Sequence, residues 1–129
     1  MKLHRLDHVN IRTAQLGPMV EFYERILGLR AGARPDFGFP GAWLYLDEHP
    51  IVHLVGVEQE CASVDPKIEH FAIEATGLKE FISRLEAAGI AHAVRPVPGY
   101  PILQVNFRDV DGNHIHVDFN SGEADSGAG

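Results

Sequence analysis

Polar and apolar residues alternate through most of the chain, and in two stretches the apolar spacing changes to that of a helix. Leu6 to Ile11 reads as a strand, with His8 and Asn10 on one face and Val9 and Ile11 on the other. Pro18 suits the first turn of a helix that Gly28 ends, and Met19, Phe22, Tyr23, Ile26 and Leu27 form its apolar stripe. A Pro- and Gly-rich segment, 34–41, predicts a mobile loop. Ala42–Leu46 follows as a strand with Trp43 and Tyr45 on one face, and after a turn Ile51–Val57 is a strand with His53 at its middle. A polar connector, 58–67, separates these from a second set. Ile68–Ala75 is a strand carrying His70, and Leu78, Phe81, Ile82 and Leu85 mark a helix stopped by Gly89. Ala91–Arg95 is a short strand. Leu103, Val105 and Phe107 then alternate with Gln104, Asn106 and Arg108. Asp111-Gly112-Asn113 is a tight-turn signal, after which His114, His116 and Asp118 share one strand face and Ile115, Val117 and Phe119 the other.

The two sets match. Leu6-Asp7-His8-Val9 corresponds to Ile68-Glu69-His70-Phe71, and Ile51-Val52-His53-Leu54 to His114-Ile115-His116-Val117. His8 and His53 are 45 positions apart, and His70 and His116 are 46 apart. A repeat of this kind predicts an α+β domain over residues 1–120, built of two tandem βαβββ modules, 1–57 and 68–120. The expected architecture is one curved mixed sheet around a cavity, with the helices outside. The small, polar residues 121–129 are expected to be a disordered tail.

Composition narrows the function. An apolar content of 45% in 129 residues supports one globular domain with a real core. The net charge of −7 and the lack of a Lys/Arg cluster argue against nucleic acid and anionic membrane as partners. No apolar run is long enough to span a bilayer. The N-terminal residues lack a signal-peptide core, and the single cysteine, Cys61, excludes an internal disulfide, so a cytoplasmic location is expected.

Chemistry concentrates on the polar strand faces. A lone strand histidine is ordinarily a hydrogen-bonded residue of no further consequence. Here four histidines, His8, His53, His70 and His116, stand in register across a repeat. Imidazoles on rigid strands suit a divalent transition metal such as Zn, Fe, Ni, Mn or Co, which can polarise a substrate oxygen or activate water. Asn10, Trp43, Tyr45, Asn106 and His114 share these faces and are expected to meet a small-molecule substrate. His4, His49 and His92 fall outside the register and are expected to lie at the surface, and Cys61 is a bystander. Arg95 and Tyr100 are further residues able to face a substrate anion.

Leu6-Asp7-His8-Val9, Glu21-Phe22-Tyr23-Glu24-Arg25-Ile26-Leu27-Gly28-Leu29 and Asp109-Val110-Asp111-Gly112-Asn113-His114-Ile115-His116 together resemble the vicinal oxygen chelate superfamily. That superfamily includes glyoxalase I, extradiol dioxygenases, fosfomycin-resistance transferases and bleomycin-binding proteins. The resemblance covers the chain to about Asn120. It implies paired βαβββ modules, a homodimer, and metal-ligand slots on His8, His53, His70 and His116. Relatives commonly carry glutamate at the slot of His116, and glyoxalase I typically also at that of His53, where one glutamate serves as proton-transfer base. Histidine at both removes that base and the 2-His-1-carboxylate set of a ring-cleaving dioxygenase. Asp118 and Glu74 are the nearest carboxylates on the expected cavity face. The resemblance implies a metal-dependent enzyme, with glyoxalase-like lyase or isomerase chemistry ahead of ring-cleaving dioxygenation. A metal-free, bleomycin-resistance-like binding protein is the alternative of a different class.

Overall fold

The computed structural model describes residues 1–125, which form two compact modules, Met1–Ser63 and one beginning at Val64. In module one, strand β1 (Val9–Thr13) leads through helix α1 (Leu16–Arg25) into β2 (Arg30–Gly32), β3 (Gly41–Leu46) and β4 (His49–Gly56). The strands lie in the order β1-β4-β3-β2, with β1 parallel to β4 and the others antiparallel. Module two repeats this with β5 (His70–Glu74), α2 (Leu78–Ala87), β6 (Ala93–Pro96), β7 (Ile102–Arg108) and β8 (His114–Asn120), ordered β5-β8-β7-β6. The α+β class and the tandem βαβββ plan hold. The expected single curved sheet is instead two four-stranded sheets, because every strand finds its hydrogen-bond partners inside its own module.

Both helices end in the same way. Gly28 and Gly89 take left-handed φ values of 72° and 69°. The next amides, Leu29 and Ile90, then donate back to the carbonyls of Tyr23 and Leu85. This closes the last turn with a residue that carries no Cβ penalty. α1 buries Met19 and Tyr23 on its sheet, whose inner face supplies Leu44, Val52 and Leu54. α2 buries Leu78, Phe81 and Leu85, and Phe81 meets the rings of Phe107 and Phe119 at 5.5 and 5.9 Å. Packing of these stripes, more than helix propensity, holds ten-residue helices in place.

Two elements depart from expectation. β1 begins at Val9 rather than Leu6, and Leu6 is exposed. β2 is the strand that the βαβββ plan calls for after α1, and at three residues it is too short for a periodic signal to locate it. Ser121 to Asp125, expected to belong to a disordered tail, contains a helical turn, α3 (Gly122–Asp125). Its Glu123 accepts from the amides of Gly77 and Leu78 at 2.9 and 3.0 Å. Those are orphan donors at the start of α2, where Gly77 offers no side-chain cap. The rest of the expected tail, 126–129, lies outside the described residues.

Candidate functional site

The polar face of module two is a grid set by strand register. β5 and β8 place His70 beside His114, Ala72 beside His116 and Glu74 beside Asp118. On the other side of β8, β7 places Arg108, Asn106 and Gln104 beside the same three residues. Ile115, Val117 and Phe119 point into the core, so the alternation of β8 forces its histidines together on the opposite face.

Hydrogen bonds decide which ring nitrogens remain available. His116 is buried, and its Nδ1 donates to Asp118 Oδ1 at 2.5 Å. His70 Nδ1 donates to Glu69 Oε1 at 2.7 Å, and His114 Nδ1 to the other oxygen of the same carboxylate at 2.6 Å. An ionised carboxylate only accepts, so these contacts put the proton of His70 and of His116 on Nδ1 and leave the lone pair on Nε2. The two rings are 4.4 Å apart and tilted by 43°, so their planes intersect. His114 is different. Asn106 Nδ2 donates to the Gln104 carbonyl at 3.2 Å, which leaves Asn106 Oδ1 to accept from His114 Nε2 at 2.8 Å, so His114 donates from both nitrogens. Each nitrogen of His114 is thereby spent.

Glu69, His70 and His114 also bring one ligand atom each within 4.8 Å of the others, a spacing open to a metal. The hydrogen bonds among them account for that closeness. A metal on the Nδ1 side would have to displace both imidazole protons. His70 and His116 also each have the second nitrogen, Nδ1, held by a carboxylate, a feature found behind metal-binding histidines.

Module one repeats the device with different residues. His8 Nδ1 donates to Asp7 Oδ2 at 2.7 Å, and His49 Nε2 lies 3.1 Å from Asp7 Oδ1 and 2.9 Å from its carbonyl. His8 Nε2 is free, as in His70. The hydrogen bond from His8 holds the Asp7 carboxyl below its ordinary value, with help from His49. Hydrogen bonds from His70 and then His114 do the same for Glu69.

His53 does not follow the expected pattern. Its ring is sandwiched between His8, at 3.8 Å and 9°, and Trp43, at 4.1 Å and 16°. Register imposes the second contact, since Trp43 and His53 are direct cross-strand partners. His53 Nε2 donates to the Pro50 carbonyl at 3.1 Å. Burial, then the neighbouring His8, pushes its pKa below the ordinary value. Two rings this close to parallel share no nearby in-plane point, so binding of one ion by both His8 and His53 requires one ring to turn out of the stack.

Residues 5–117 match the model of the Glyoxalase/Bleomycin resistance protein/Dioxygenase superfamily. The chain belongs to that superfamily. It is 26% identical to Glyoxylase I 4 of Arabidopsis thaliana over 130 aligned positions, covering 91% of this chain and 71% of that protein. Among solved structures, a glyoxylase/bleomycin resistance protein/dioxygenase domain from Frankia sp. EAN1pec superposes with a TM-score of 0.75 at 19% identity, covering 92% and 93% of the two chains. A genomically encoded fosfomycin resistance protein from Listeria monocytogenes gives 0.72 at 13% identity, covering 95% and 98%. At these identities the structural likeness speaks for the superfamily's fold. The superfamily typically binds a divalent metal and small molecules, and the imidazole donors of this chain suit a borderline-soft transition ion. No helix among the described residues is long and apolar enough to cross a membrane.

The remaining expected residues sort by what their polar atoms do. Asn10 is exposed on β1, paired in register with His53. Tyr45 donates its hydroxyl to the Ala33 carbonyl at 2.5 Å and lays its ring over Gly32, so it braces β2 against β3. Asn106 and His114 spend the groups described above on each other, on the Gln104 carbonyl and on Glu69. The 34–41 loop, expected to be mobile, is cross-linked. Arg34 stands 5.0 and 5.2 Å from the rings of Phe37 and Phe39 and donates to the Phe39 carbonyl. Asp7, Glu69 and His49 carry roles that alternation alone hid. Strand periodicity from Leu6 would put Asp7 and His8 on opposite faces, but regular strand starts only at Val9, which lets the carboxylate curl back. The legible signal was an acidic residue directly before histidine in both repeats.

Proposed function

We propose that the protein is a metal-dependent enzyme acting on a small substrate that chelates through neighbouring oxygens, with glyoxalase-like lyase or isomerase chemistry. The observation that carries this reading is the repeated carboxylate clamp. His8, His70 and His116 each give Nδ1 to a carboxylate and keep Nε2 free. His70 and His116 are the proposed ligands of module two, and His8 is the proposed ligand of module one. A bound divalent metal, of which Zn, Fe, Ni, Mn and Co are all chemically suitable, supplies Lewis acidity toward a substrate oxygen. Asp118 and Glu69 fix the tautomer and direction of the rings. Asn10 and Trp43 are the proposed substrate contacts. With no glutamate in the ligand slots, Glu74, exposed and beside Asp118, is the proposed proton acceptor. Similarity to a relative named Glyoxylase I 4 supports isomerisation over ring cleavage. A cytoplasmic homodimer belongs to the same proposal.

The test is metal content of tag-free protein, followed by hemithioacetal isomerisation. A stoichiometric metal that chelator removes with loss of stability and activity is expected. Substoichiometric metal with stability unchanged in chelator would sink the reading. One observation favours the metal-free binding alternative. Phe37 and Phe39 are half-exposed beside Trp43, an aromatic surface suited to a flat ligand. Chelator-resistant binding of an aromatic glycopeptide antibiotic would support that alternative. Oxygen consumption with catechols would instead favour ring cleavage.

A further inference from the structure

Module two contains a pocket of about 420 Å³, lined by Ile90, Ala91, His92, Ala93, Phe107 and, at its polar end, Asn106, Arg108 and His114. This is within the range of small-molecule sites, at the small end. Its chemistry is lopsided. Ile90, Ala91 and Ala93 offer a short apolar wall. His92 Nδ1 donates to the Ile90 carbonyl at 2.9 Å. His114 and Asn106 are engaged with Glu69, Gln104 and each other. Arg108 alone keeps a charge to spare: Nη1 donates to the Gly112 carbonyl at 2.8 Å, and among the described residues its guanidinium forms no ion pair. The adjacent Asp109 does not compete, because its buried carboxylate accepts from the Asp111 and Asn113 amides and from Asn113 Nδ2. Arg108 is the one permanently charged side chain among the residues that line the pocket. Register puts Arg108 directly beside His114, whose ring is 6.2 Å from that of His116.

We infer that this pocket binds the carboxylate of a small organic acid, with Arg108 as its counter-ion and Ala91 and Ala93 against a short alkyl group. A planar guanidinium with several donors suits a carboxylate, and a small apolar wall suits a branched or short chain. The inference rests on the proposed function in one respect only. If His116 is a metal ligand, the acid is the substrate's anchor, one imidazole away from the metal.

The experiment uses the full chain stripped of metal with chelator. Isobutyrate and its neutral isostere isobutyramide are titrated in turn, following backbone amide signals in two-dimensional NMR. Isobutyrate should shift the amides of Ala91, Ala93, Asn106 and Arg108 and bind about tenfold more tightly than the amide, the size expected of hydrogen bonds to a charged group. Arg108→Gln should erase the difference, and Arg108→Lys should keep part of it. Ala93→Ile, which fills the pocket and leaves the guanidinium in place, should weaken both ligands together. Equal binding of acid and amide, or an R108Q protein that binds isobutyrate as the parent does, overturns the inference. Zinc affinity of each variant, measured by chelator competition, separates the two readings. A parent chain that binds isobutyrate but no zinc refutes the metal proposal and leaves this one standing.

Discussion

Replacing His53 by phenylalanine should leave metal binding intact, although His53 occupies a slot that the resemblance assigns to a ligand. The magnitude follows from the stack. His8 and His53 are separated by 3.8 Å between centroids and deviate from parallel by 9°. A metal bound in the plane of a ring sits at about 2.0–2.1 Å from its nitrogen. An ion in the plane of His8 would stand roughly 3.5 Å from the plane of His53, the ordinary contact distance of stacked carbon atoms. That gap exceeds the whole bond length. Phenylalanine keeps a flat ring between His8 and Trp43 and removes the nitrogens, so H53F isolates coordination from packing. Zinc affinity by competition with a chromophoric chelator should fall less than about threefold in H53F, under 1 kcal/mol by the usual conversion. His70→Gln and His116→Gln should each lose more than about 100-fold, beyond the usual cost of losing an outer-sphere partner. A loss in H53F as large as in H70Q would refute the stacking argument and restore His53 as a ligand.

The carboxylates behind the rings should be felt in metal binding and in acid. Glu69→Gln leaves His70 and His114 to share one amide oxygen, and zinc affinity should drop about 10–100-fold in the same competition assay. Glu69 and Asp7 titrate below their ordinary values when folded, so their contribution to stability is present above those values and fades as pH falls through the folded ones. Urea midpoints below the ordinary glutamate value of 4.5 should therefore fall less steeply with pH in E69Q than in the parent, and parallel curves would contradict the clamp. Glu123→Ala exposes two capped amides of α2 and should cost about 0.5–2 kcal/mol, read as a lower urea midpoint with unchanged slope. No change would mean that α3 does not hold α2 in solution.

How much could be read beforehand depends on the range of each interaction. The repeat was visible because amphipathic periods of two and 3.6 persist over whole elements, and the pairing of His8 with His70 and of His53 with His116 needed only counting. The 43° tilt of His70 against His116 and the near-parallel stack of His53 on His8 could not be read, since both sets share one spacing. What separates them lies across the strand. His116 faces Ala72 and Asn106, which leave room, whereas His53 faces Asn10 and a tryptophan that covers its ring. Cross-strand register is non-local, so a pattern along one strand does not carry it. The role of Glu123 was hidden for a similar reason, because its partners are 45 and 46 positions away.

The exchange of glutamate for histidine at position 116 changes charge more than geometry. A ligating glutamate would place a negative charge on the metal itself. Here the position carries an imidazole whose Nδ1 donates to Asp118 at 2.5 Å. The carboxylate is kept, but one ring further out, and it strengthens the donor without cancelling the ion's charge directly. Asp118 is half-buried and Asn106 stands across from His116, so the charge is held by the strand and not left to solvent. A metal on such a set would be a stronger Lewis acid than one on a set containing glutamate, while the site would lack a base in the ligand shell. Proton transfer would then fall to a carboxylate outside the ligands, and Glu74, in register with Asp118 and in no ion pair among the described residues, is the candidate. Glu74→Gln should therefore cut isomerase turnover by about 100-fold or more while zinc affinity stays at the parent's value. A variant with unchanged turnover would take the base role from Glu74.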